Sequence, residues 1–548
     1  MLLVSVATGV SLIAFQVSEP ETPPHEAIPE GEPFPSHIAP GVLLPQPAGR
    51  GELGPFVSVQ VNTTFDNLDI IGDAANEPSI AVDPTDPSNI AIGWRQFDTI
   101  ASSFRQAGYS YSRDAGLTWA GKGVHTPGTF RSDPVLRAGP EGELYYLSLR
   151  NDPALFCEVF VSPDFGEMWA EPVFANGGDK AWMAIDHSDR PTRGAIYQHY
   201  SSDFTRSFDE GLTWSRPTGS PPTWGQIAIS PDGRVFIAGR GDTNTVVAEV
   251  VGAPDPETVP DVVDVGDTGI FRSLISHPIN PVGLLGQANI AFDRSGGEFH
   301  GRMYVLQSTN EVRPDDIADT VLVYSDDDGV SFSEPIRIND DPPGRYQWFG
   351  TLSVAPNGRV DAVWNDQRDS PDDDELLMTR LYASYSTDGG ETWAPNFPVS
   401  PLFDRSVGYP VQQKLGDYYD AHSDNLGMDV AYAATFNGGQ DVYFLRIGET
   451  DCNADGVPDQ MQTAAGLAAD CDGDGMVDSC QARLGAPPAC YCPGDLAPPF
   501  GVLDFADVIA FLSAFGAGAA DADLAEPFGV HDFGDVIALL TSFGASCP

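Results

Sequence analysis

The sequence predicts an all-β fold built from repeated four-stranded units, and two recurring patterns carry that prediction. One is an eight-residue motif with Ser, Asp, Gly and an aromatic residue at fixed positions. Its five copies lie at 112–119, 162–169, 207–214, 325–332 and 386–393. The other is a polar residue followed by two short apolar strands with a turn between them, as in 77–95. Repeats of this length are typical of β-propellers, in which each repeat forms one blade.

The eight-residue motif has the chemistry of a hairpin turn. Ser and Asp side chains bond backbone N–H groups a few residues further on, and Gly supplies a backbone angle that other residues reach only at a cost. The aromatic residue packs against the sheet. The motif resembles the Asp box of the sialidase-like, BNR-repeat β-propellers, over roughly residues 56–448. That resemblance implies boxes on the blade periphery, so the motif predicts the fold and says little about chemistry.

Seven copies of the strand pattern predict seven blades within residues 51–448. They start near Glu77, Asp133, Asp179, Gln226, Gln287, Thr351 and Asp417. Six blades, as in the sialidases, is the alternative if one copy is an insertion. The apolar run Phe56–Val61 is expected to pair with the final blade and close the ring, because closure removes free strand edges.

The chain is strongly acidic. It has 79 acidic and 28 basic residues, a formal net charge of −51, and its lysines are Lys122, Lys180 and Lys414. This charge argues against nucleic acid and anionic membranes as partners. We interpret it as a device for solubility and salt tolerance; an acidic surface that captures a cation is the alternative.

The N-terminal and cysteine-rich segments predict a secreted or cell-surface protein. Residues 2–16 form an apolar run too short to span a membrane comfortably, which predicts a signal peptide over 1–18 and a flexible leader over 19–50. No other run is long and apolar enough to span. Six of the seven cysteines lie between 452 and 547, which predicts disulfides there. Cys157 is expected to be a small buried residue.

Residues 449–491 contain two loops with oxygen-bearing side chains at alternating positions. Such spacing, with a backbone carbonyl at the seventh position, suits Ca²⁺. The predicted ligands are Asp451, Asn453, Asp455, Val457, Asp459, Asp470, Asp472, Asp474, Met476 and Asp478. The loops resemble the calcium-binding repeats of thrombospondin type 3. A solvated linker rich in Asp and Gly is the alternative.

Residues 492–548 are an internal duplication, in which 495–515 matches 523–543 and each copy is a loop followed by an amphipathic helix. The pair resembles dockerins that end in a Gly/Ser-Cys-Pro tail, which implies Ca²⁺ and a cohesin-like or cell-surface partner. Two loop positions that carry Asp or Asn in dockerins are Ala and Pro here. Ligation would therefore fall on Asp495, Asp504, Asp507, Asp523, Asp532 and Asp535. Cys492 and Cys547 bracket the module and are expected to join its ends.

A candidate site follows from repeat position. In a propeller, the start of each innermost strand and the loop after the second strand open on one face, around the central axis. This places Glu77, Gln287 and His199 there, with the candidate catalytic residues Arg95, Asp133, Arg150, Asp179, Arg240, Arg368, Asp417 and Tyr418. Arginines hold carboxylates bidentately, and paired carboxylates serve as acid and base in glycoside hydrolysis. Salt bridges between blades are the alternative.

The sialidase resemblance implies three arginines for a substrate carboxylate, an Asp acid/base, and a Tyr nucleophile activated by Glu. The family also carries a Phe/Tyr-Arg-Ile-Pro phrase, whereas here Arg337 and Ile338 are followed by Asn339. The sequence therefore predicts a glycan-acting protein at the axial funnel, of the exo-sialidase, glycoside hydrolase or polysaccharide lyase type. A non-catalytic glycan- or protein-binding propeller is the alternative.

Overall fold

The computed structural model describes residues 46–152, 154–201, 203–272, 275–309, 318–371 and 377–448. In the C-terminal region it describes 469, 477–478, 492–497, 503, 505–518, 522, 524–525 and 531–545. The predicted signal, the predicted leader up to residue 45 and most of the predicted calcium ligands lie outside these residues, whereas 46–50 are described and Arg50 begins the first strand.

The N-terminal strands β1 (Arg50–Leu53) and β2 (Phe56–Gln60) belong to the last blade. Blade 1 consists of β3 (Ala74–Val82), β4 (Ile90–Phe97), β5 (Gln106–Ser112) and β6 (Ala120–His125). Blade 2 consists of β7 (Ser132–Ala138), β8 (Leu144–Asn151), β9 (Leu155–Ser162) and β10 (Val173–Phe174). Blade 3 consists of β11 (Trp182–Ile185), β12 (Ile196–His199) and β13 (Phe204–Ser207).

Blade 4 consists of β14 (Ile227–Ile229), β15 (Val235–Arg240), β16 (Asn244–Val251) and β17 (Asp261–Phe271). A separate hairpin follows, formed by β18 (Ile275–His277) and β19 (Asn280–Leu284). Blade 5 consists of β20 (Asn289–Phe292), β21 (Met303–Thr309), β22 (Asp319–Ser325) and β23 (Ile336–Arg337). Blade 6 consists of β24 (Gln347–Val354), β25 (Val360–Asp366), β26 (Met378–Ser386) and β27 (Phe397–Pro398), with β28 (Phe403–Asp404) against β26.

Blade 7 closes the ring. Its own strands are β29 (Asp420–Ser423), β30 (Gly427–Ala434) and β31 (Asp441–Gly448), and β2 pairs antiparallel with β31, Ser58 opposite Leu445. The predicted seven blades and the predicted closing strand are both confirmed. The N-terminal strands thus supply the outer strands of the last blade, so the two ends of the propeller are joined within one sheet.

The blades pack face to face, which is why their inner and second strands are mostly buried. Every residue of β3, β4 and β30 is buried. The ring of Trp119, from the first box, lies 5.4 Å from the ring of Phe444 on β31, so an aromatic pair joins blade 1 to blade 7. Cys157 is buried and free, as predicted.

The boxes form the predicted turns. In the first copy the Gly116 N–H donates to Ser112 Oγ at 2.9 Å, and the Thr118 N–H donates to Asp114 Oδ1 at 2.8 Å. Both bonds recur in the other four copies. Each box follows the third strand, so the boxes lie at the opposite end of the blades from the starts of the inner strands.

The C-terminal region contributes two described helices, α1 (Phe505–Ala517) and α2 (Phe533–Ala545). Phe511 of α1 and Leu539 of α2 belong to one small apolar core. No helix within the described parts of the chain combines the length and apolar character needed to cross a membrane.

Candidate functional site

A left-handed residue marks the start of the inner strand in every blade. Five of the seven are not glycine, and the left-handed region costs such residues about 1–3 kcal/mol each. They are Glu77 (φ 49°), Asp133 (47°), Lys180 (58°), Trp224 (59°), Gly286 (134°), Phe349 (57°) and Gly416 (109°). The chain therefore accepts strain at one repeated position, next to the predicted axial site.

Five charged side chains meet at this position, and we call them the axial cluster: Glu77, Arg95, Lys180, Lys414 and Asp417. Arg95 Nε lies 3.1 Å from Glu77 Oε2, and Lys414 Nζ lies 3.0 Å from Glu77 Oε1. Lys414 Nζ is also 2.7 Å from Asp417 Oδ2, and Lys180 Nζ is 2.6 Å from the same oxygen. Blades 1 and 3 are thus joined by charge to the segment leading into blade 7.

Asp133 and Tyr418 lie beside the axial cluster and are bonded to their surroundings. Ser132 Oγ donates to Asp133 Oδ1 at 2.7 Å, and the Lys180 N–H donates to Oδ2 at 3.2 Å. The Tyr418 hydroxyl donates to the Pro134 carbonyl at 2.9 Å. Its ring packs edge-on against a tryptophan of blade 3.

Burial dominates the electrostatics. None of the axial cluster side chains is more than 7% exposed. Desolvation raises the pKa of Glu77 to about 7, although Arg95 and Lys414 both oppose the rise. Desolvation also raises the pKa of Tyr418 well above its ordinary value, so its hydroxyl stays protonated.

The hairpin β18–β19 holds the segment that carries Lys414 and Asp417. The Leu284 N–H donates to Asp417 Oδ1 at 2.9 Å. The fully buried Asn280 donates to the Gly416 carbonyl at 2.8 Å and accepts from the Leu415 N–H at 3.0 Å. An insertion between blades 4 and 5 therefore fixes the carboxylate on which both lysines converge.

The other candidate residues are placed apart. Arg150 lies 3.2 Å from Glu158, which Arg131 also contacts at 2.6 Å. Arg368 lies 2.8 Å from Asp366 in blade 6. These arginines form ion pairs within or beside their own blades. Arg240 stacks on Trp224. Asp179 is different, because its Oδ1 lies 3.9 Å from Lys180 Nζ and so borders the axial cluster.

The structure thus brings together Arg95, Asp133, Asp417 and Tyr418 and separates Arg150, Arg240 and Arg368 from them. Sequence reasoning missed the roles of Lys180 and Lys414. A signal existed, because the chain is strongly acidic and two of its three lysines, Lys180 and Lys414, lie shortly before the inner strands β11 and β29.

The described part of the C-terminal region contains five predicted calcium ligands: Asp478, Asp495, Asp507, Asp532 and Asp535. Asp507 Oδ1 accepts the N–H groups of Leu496 and Ala497 at 2.8 and 2.9 Å. Asp535 Oδ1 makes the same two bonds in the second copy, to 524 and 525. Within the described residues no group of three or more His, Cys, Asp or Glu is arranged to hold a metal. Calcium binding stays a prediction.

Comparisons with known proteins agree with the fold. Residues 384–395 match the BNR/Asp-box repeat. No curated protein sequence matches the chain. Fold and boxes together define an Asp-box β-propeller.

Solved structures with a similar fold include a protein of unknown function from Dyadobacter fermentans, with 14% identity, TM-score 0.39, and coverage of 71% of this chain and 97% of that one. The endosialidase of phage phi92 has 10% identity, TM-score 0.43, and coverage of 74% and 70%. The sialidase of Trypanosoma rangeli has 13% identity, TM-score 0.36, and coverage of 74% and 60%. Likeness at this level concerns the fold alone.

Proposed function

We propose that the protein binds glycans on the axial face of the propeller without cleaving them. One observation carries this proposal. Three of the predicted catalytic residues, Asp133, Asp417 and Tyr418, are 1%, 2% and 4% exposed and are bonded within the protein. A general acid or a nucleophile must reach the bond it acts on. These three side chains instead act as structural links between blades.

The glycan part of the proposal rests on the resemblance of the repeated chain to sialidase-like propellers and not on the boxes themselves, and the choice of the axial face rests on topology. Loops after the second strands and before the inner strands gather at that end of the ring, as binding loops do on rigid scaffolds. The buried axial cluster beneath them holds the loops in place. Secretion, which we also propose, rests on the apolar run at residues 2–16.

The test measures binding and cleavage on the same samples. Full-length protein is screened against neutral and acidic oligosaccharides, with calorimetry for binding and chromatography for products. We expect binding without product. Thr213→Ala, in an exposed box at the opposite end of blade 3, is the matched control and should bind normally. Failure of every glycan to bind the folded protein would overturn the proposal.

A glycan hydrolase is the second candidate, and Glu77 favours it. A carboxyl with a pKa of about 7 is matched to proton transfer near neutral pH. Glu77 is 0% exposed, so this alternative requires the axial cluster to open and admit the substrate. On this alternative, product appears in the screen and disappears in Glu77→Gln, while Thr213→Ala keeps full activity. Product that survives Glu77→Gln would exclude Glu77 as the acid.

We also propose that the C-terminal module attaches the protein to a cohesin-like or cell-surface partner. Each helix exposes the same apolar stripe: Phe505, Ile509 and Leu512 on α1, and Phe533, Ile537 and Leu540 on α2, all more than half exposed. Exposed apolar surface repeated in this way is typical of a contact site.

Attachment is tested with a double variant, Leu512→Glu with Leu540→Glu, which charges both stripes. We expect the full-length protein to be lost from the surface of the producing cells. The control is Ser513→Glu with Thr541→Glu, at neighbouring exposed positions outside the stripes. Equal retention of both double variants would contradict attachment through the stripes.

Calcium remains our proposal for the Asp-rich loops and the C-terminal module. Calorimetric titration of metal-free full-length protein should show Ca²⁺ binding that weakens in Asp472→Asn with Asp474→Asn. Unchanged binding in that variant would remove the second loop from the proposal.

A further inference from the structure

The outer strand of blade 4 is longer than the other outer strands. β17 has 11 residues, whereas β6, β10, β23 and β27, the outer strands of blades 1, 2, 5 and 6, have 6, 2, 2 and 2. β17 pairs antiparallel with β16 and is the last strand of its sheet. No strand in the described parts of the chain pairs with its other edge. That edge therefore presents backbone N–H and C=O groups that another strand can bond.

The two neighbouring blades hold the faces of β17 and leave its outer edge uncovered. A Cβ added to Gly266 would collide with the Gly329 carbonyl oxygen, so the strand passes directly against the box of blade 5. From the side of blade 3, the Thr218 hydroxyl donates to the Pro260 carbonyl at 3.2 Å, just before the strand begins. The edge is therefore fixed in an extended form before any partner arrives, which lowers the entropic cost of binding.

Four exposed valines lie beside this edge. Val251, which pairs in register with the first residue of β17, is 46% exposed. Val259 and Val263 are 80% and 42% exposed, and Val330, next to Gly329 in the box of blade 5, is 68% exposed. Single exposed valines are ordinary in soluble proteins, but four beside one unpaired strand form an apolar surface of the kind found at contact sites.

The same edge is acidic. Asp261, Asp264 and Asp267 stand at every third position of the strand, and all three are exposed. Asp261 and Asp264 have no ion pair or hydrogen bond with any residue that the structure describes. Charged residues on an edge protect a protein from aggregation, but exposed valines between them work against that protection. Aspartates and valines together favour a partner strand that carries positive charge.

Charge also argues against this chain as its own partner. In an antiparallel pair of two copies centred on Asp264, that residue would face its own copy and Asp261 would face Asp267, and like charges placed opposite each other are destabilising. Residues 1–45 contain no lysine or arginine, and residues 449–548 contain a single arginine, Arg483. A basic strand must therefore come from another protein.

We propose that β17 is a docking edge for a basic, extended segment of another protein, which joins blade 4 as an additional antiparallel strand. Main-chain hydrogen bonds along the edge supply affinity, and the side chains supply specificity. Lysines or arginines of the partner face Asp261 and Asp264, and its apolar residues pack on the exposed valines. The edge lies on the outer rim of the propeller, so this function is independent of glycan binding on the axial face.

The experiment uses a capped peptide of about eight residues in which lysine and valine alternate. It is titrated into full-length protein by calorimetry at physiological ionic strength, in parallel with the same peptide methylated on every backbone nitrogen. Methylation removes the N–H donors and keeps the charge, so the methylated peptide should bind about tenfold more weakly or worse. Hydrogen exchange should slow at the amides of 261–267 when the unmethylated peptide is bound.

A pair of matched variants tests the role of charge. Asp261→Asn with Asp264→Asn should weaken binding of the unmethylated peptide about fivefold or more, because two ion pairs are lost. The control is Asp66→Asn with Asp189→Asn, which removes the same charge at exposed positions outside blade 4 and should change affinity little.

Three results would overturn the proposal. Equal binding of both peptides would show that the net charge of −51 attracts them without strand pairing. Equal losses in the two double variants, or slowed exchange confined to amides outside β17, would place binding elsewhere. Exchange in 261–267 that slows with rising protein concentration and no peptide would identify a second copy of this chain as the occupant and reject the basic partner.

Discussion

Arg95 in blade 1 and Arg240 in blade 4 occupy the same repeat position and differ in environment. Arg95 pairs in register with Asn76, the residue before left-handed Glu77. Arg240 forms a bridge with Thr223, the residue before left-handed Trp224. Yet Arg95 is fully buried and ion-paired, whereas Arg240 is partly exposed and stacked on an indole.

The difference shows that the left-handed residue decides what its neighbouring arginine does. Glu77 supplies a carboxylate, so the guanidinium of Arg95 becomes part of a buried structural network. Trp224 supplies a flat ring without charge, so the guanidinium of Arg240 stacks on the indole and stays partly exposed. The repeat fixes the backbone, and in these two blades the side chain of the left-handed residue then determines whether the arginine is buried in an ion-pair network or stacked on a ring.

The largest effect is expected from removing a cation from the axial cluster, to which Arg95 belongs. Lys414→Met leaves Glu77 and Asp417 buried with one fewer cation, which typically costs about 3–5 kcal/mol. Denaturant unfolding is followed by tryptophan fluorescence, because all nine tryptophans lie between 94 and 393 and report on the propeller. Lys122→Met, outside the cluster, is the control. Equal losses of unfolding free energy in Lys414→Met and Lys122→Met would show that a lysine of the axial cluster stabilises the fold no more than a lysine outside it.

The next effect is expected where Asn62 meets the start of β31, which we call the ring-closure seam, because its carboxyl Asp441 has no ion pair with any cation among the described residues. Desolvation raises the pKa of Asp441 to about 7, and Asn62 Nδ2 donates to it at 2.6 Å. The unfolded value is about 3.9, so between those pH values the folded state holds an extra proton. Stability contributed by this group is complete at low pH and falls by up to about 1.4 kcal/mol per pH unit up to pH 7.

The unfolding free energy of Asp441→Asn should therefore decline less between pH 4 and 7 than that of the natural protein. Relative to the natural protein, the variant should be more stable at pH 8 than at pH 4. Asp66→Asn, exposed on the nearby loop, should keep the slope of the natural protein. An unchanged slope in Asp441→Asn would mean that the seam carboxyl is already ionised across this range.

A smaller effect is expected from converting blade 4 to the pattern of blade 1. Trp224→Glu places a carboxylate beside the partly exposed Arg240, and the ion pair should stabilise this variant by about 1 kcal/mol or less relative to Trp224→Gln. Trp224→Gln removes the ring without adding charge and is the matched control. The measurement is denaturant unfolding of both variants at low and at high salt. Equal unfolding free energies at low salt would show that residue 224 does not pair with Arg240.

The smallest effect is expected at the opposite end of the blades. Thr213→Ala removes one exposed hydrogen bond to Asp209, which should cost less than about 1 kcal/mol in unfolding free energy. A loss as large as that of Lys414→Met would reverse the contrast between the strained axial end and the box end.

The sequence by itself determined the repeat architecture. The five boxes, the seven strand patterns and the closing strand at Phe56 depend on local turn chemistry and on alternating apolar residues, and both are visible in short windows. Repeat position also placed Arg95, Asp133 and Asp417 at the axial end, because equivalent positions in equivalent blades occupy equivalent places.

Only the tertiary structure decided which of those side chains meet. Lys180 and Asp417 are 237 residues apart, and the hairpin that holds Asp417 is an insertion without a counterpart in the described parts of the other blades. Ion pairing depends on distances of about 4 Å between side chains from different blades, and no local pattern encodes those distances. Whether an arginine is buried in an ion pair, as Arg95 is, or stacked on an indole, as Arg240 is, follows from those contacts.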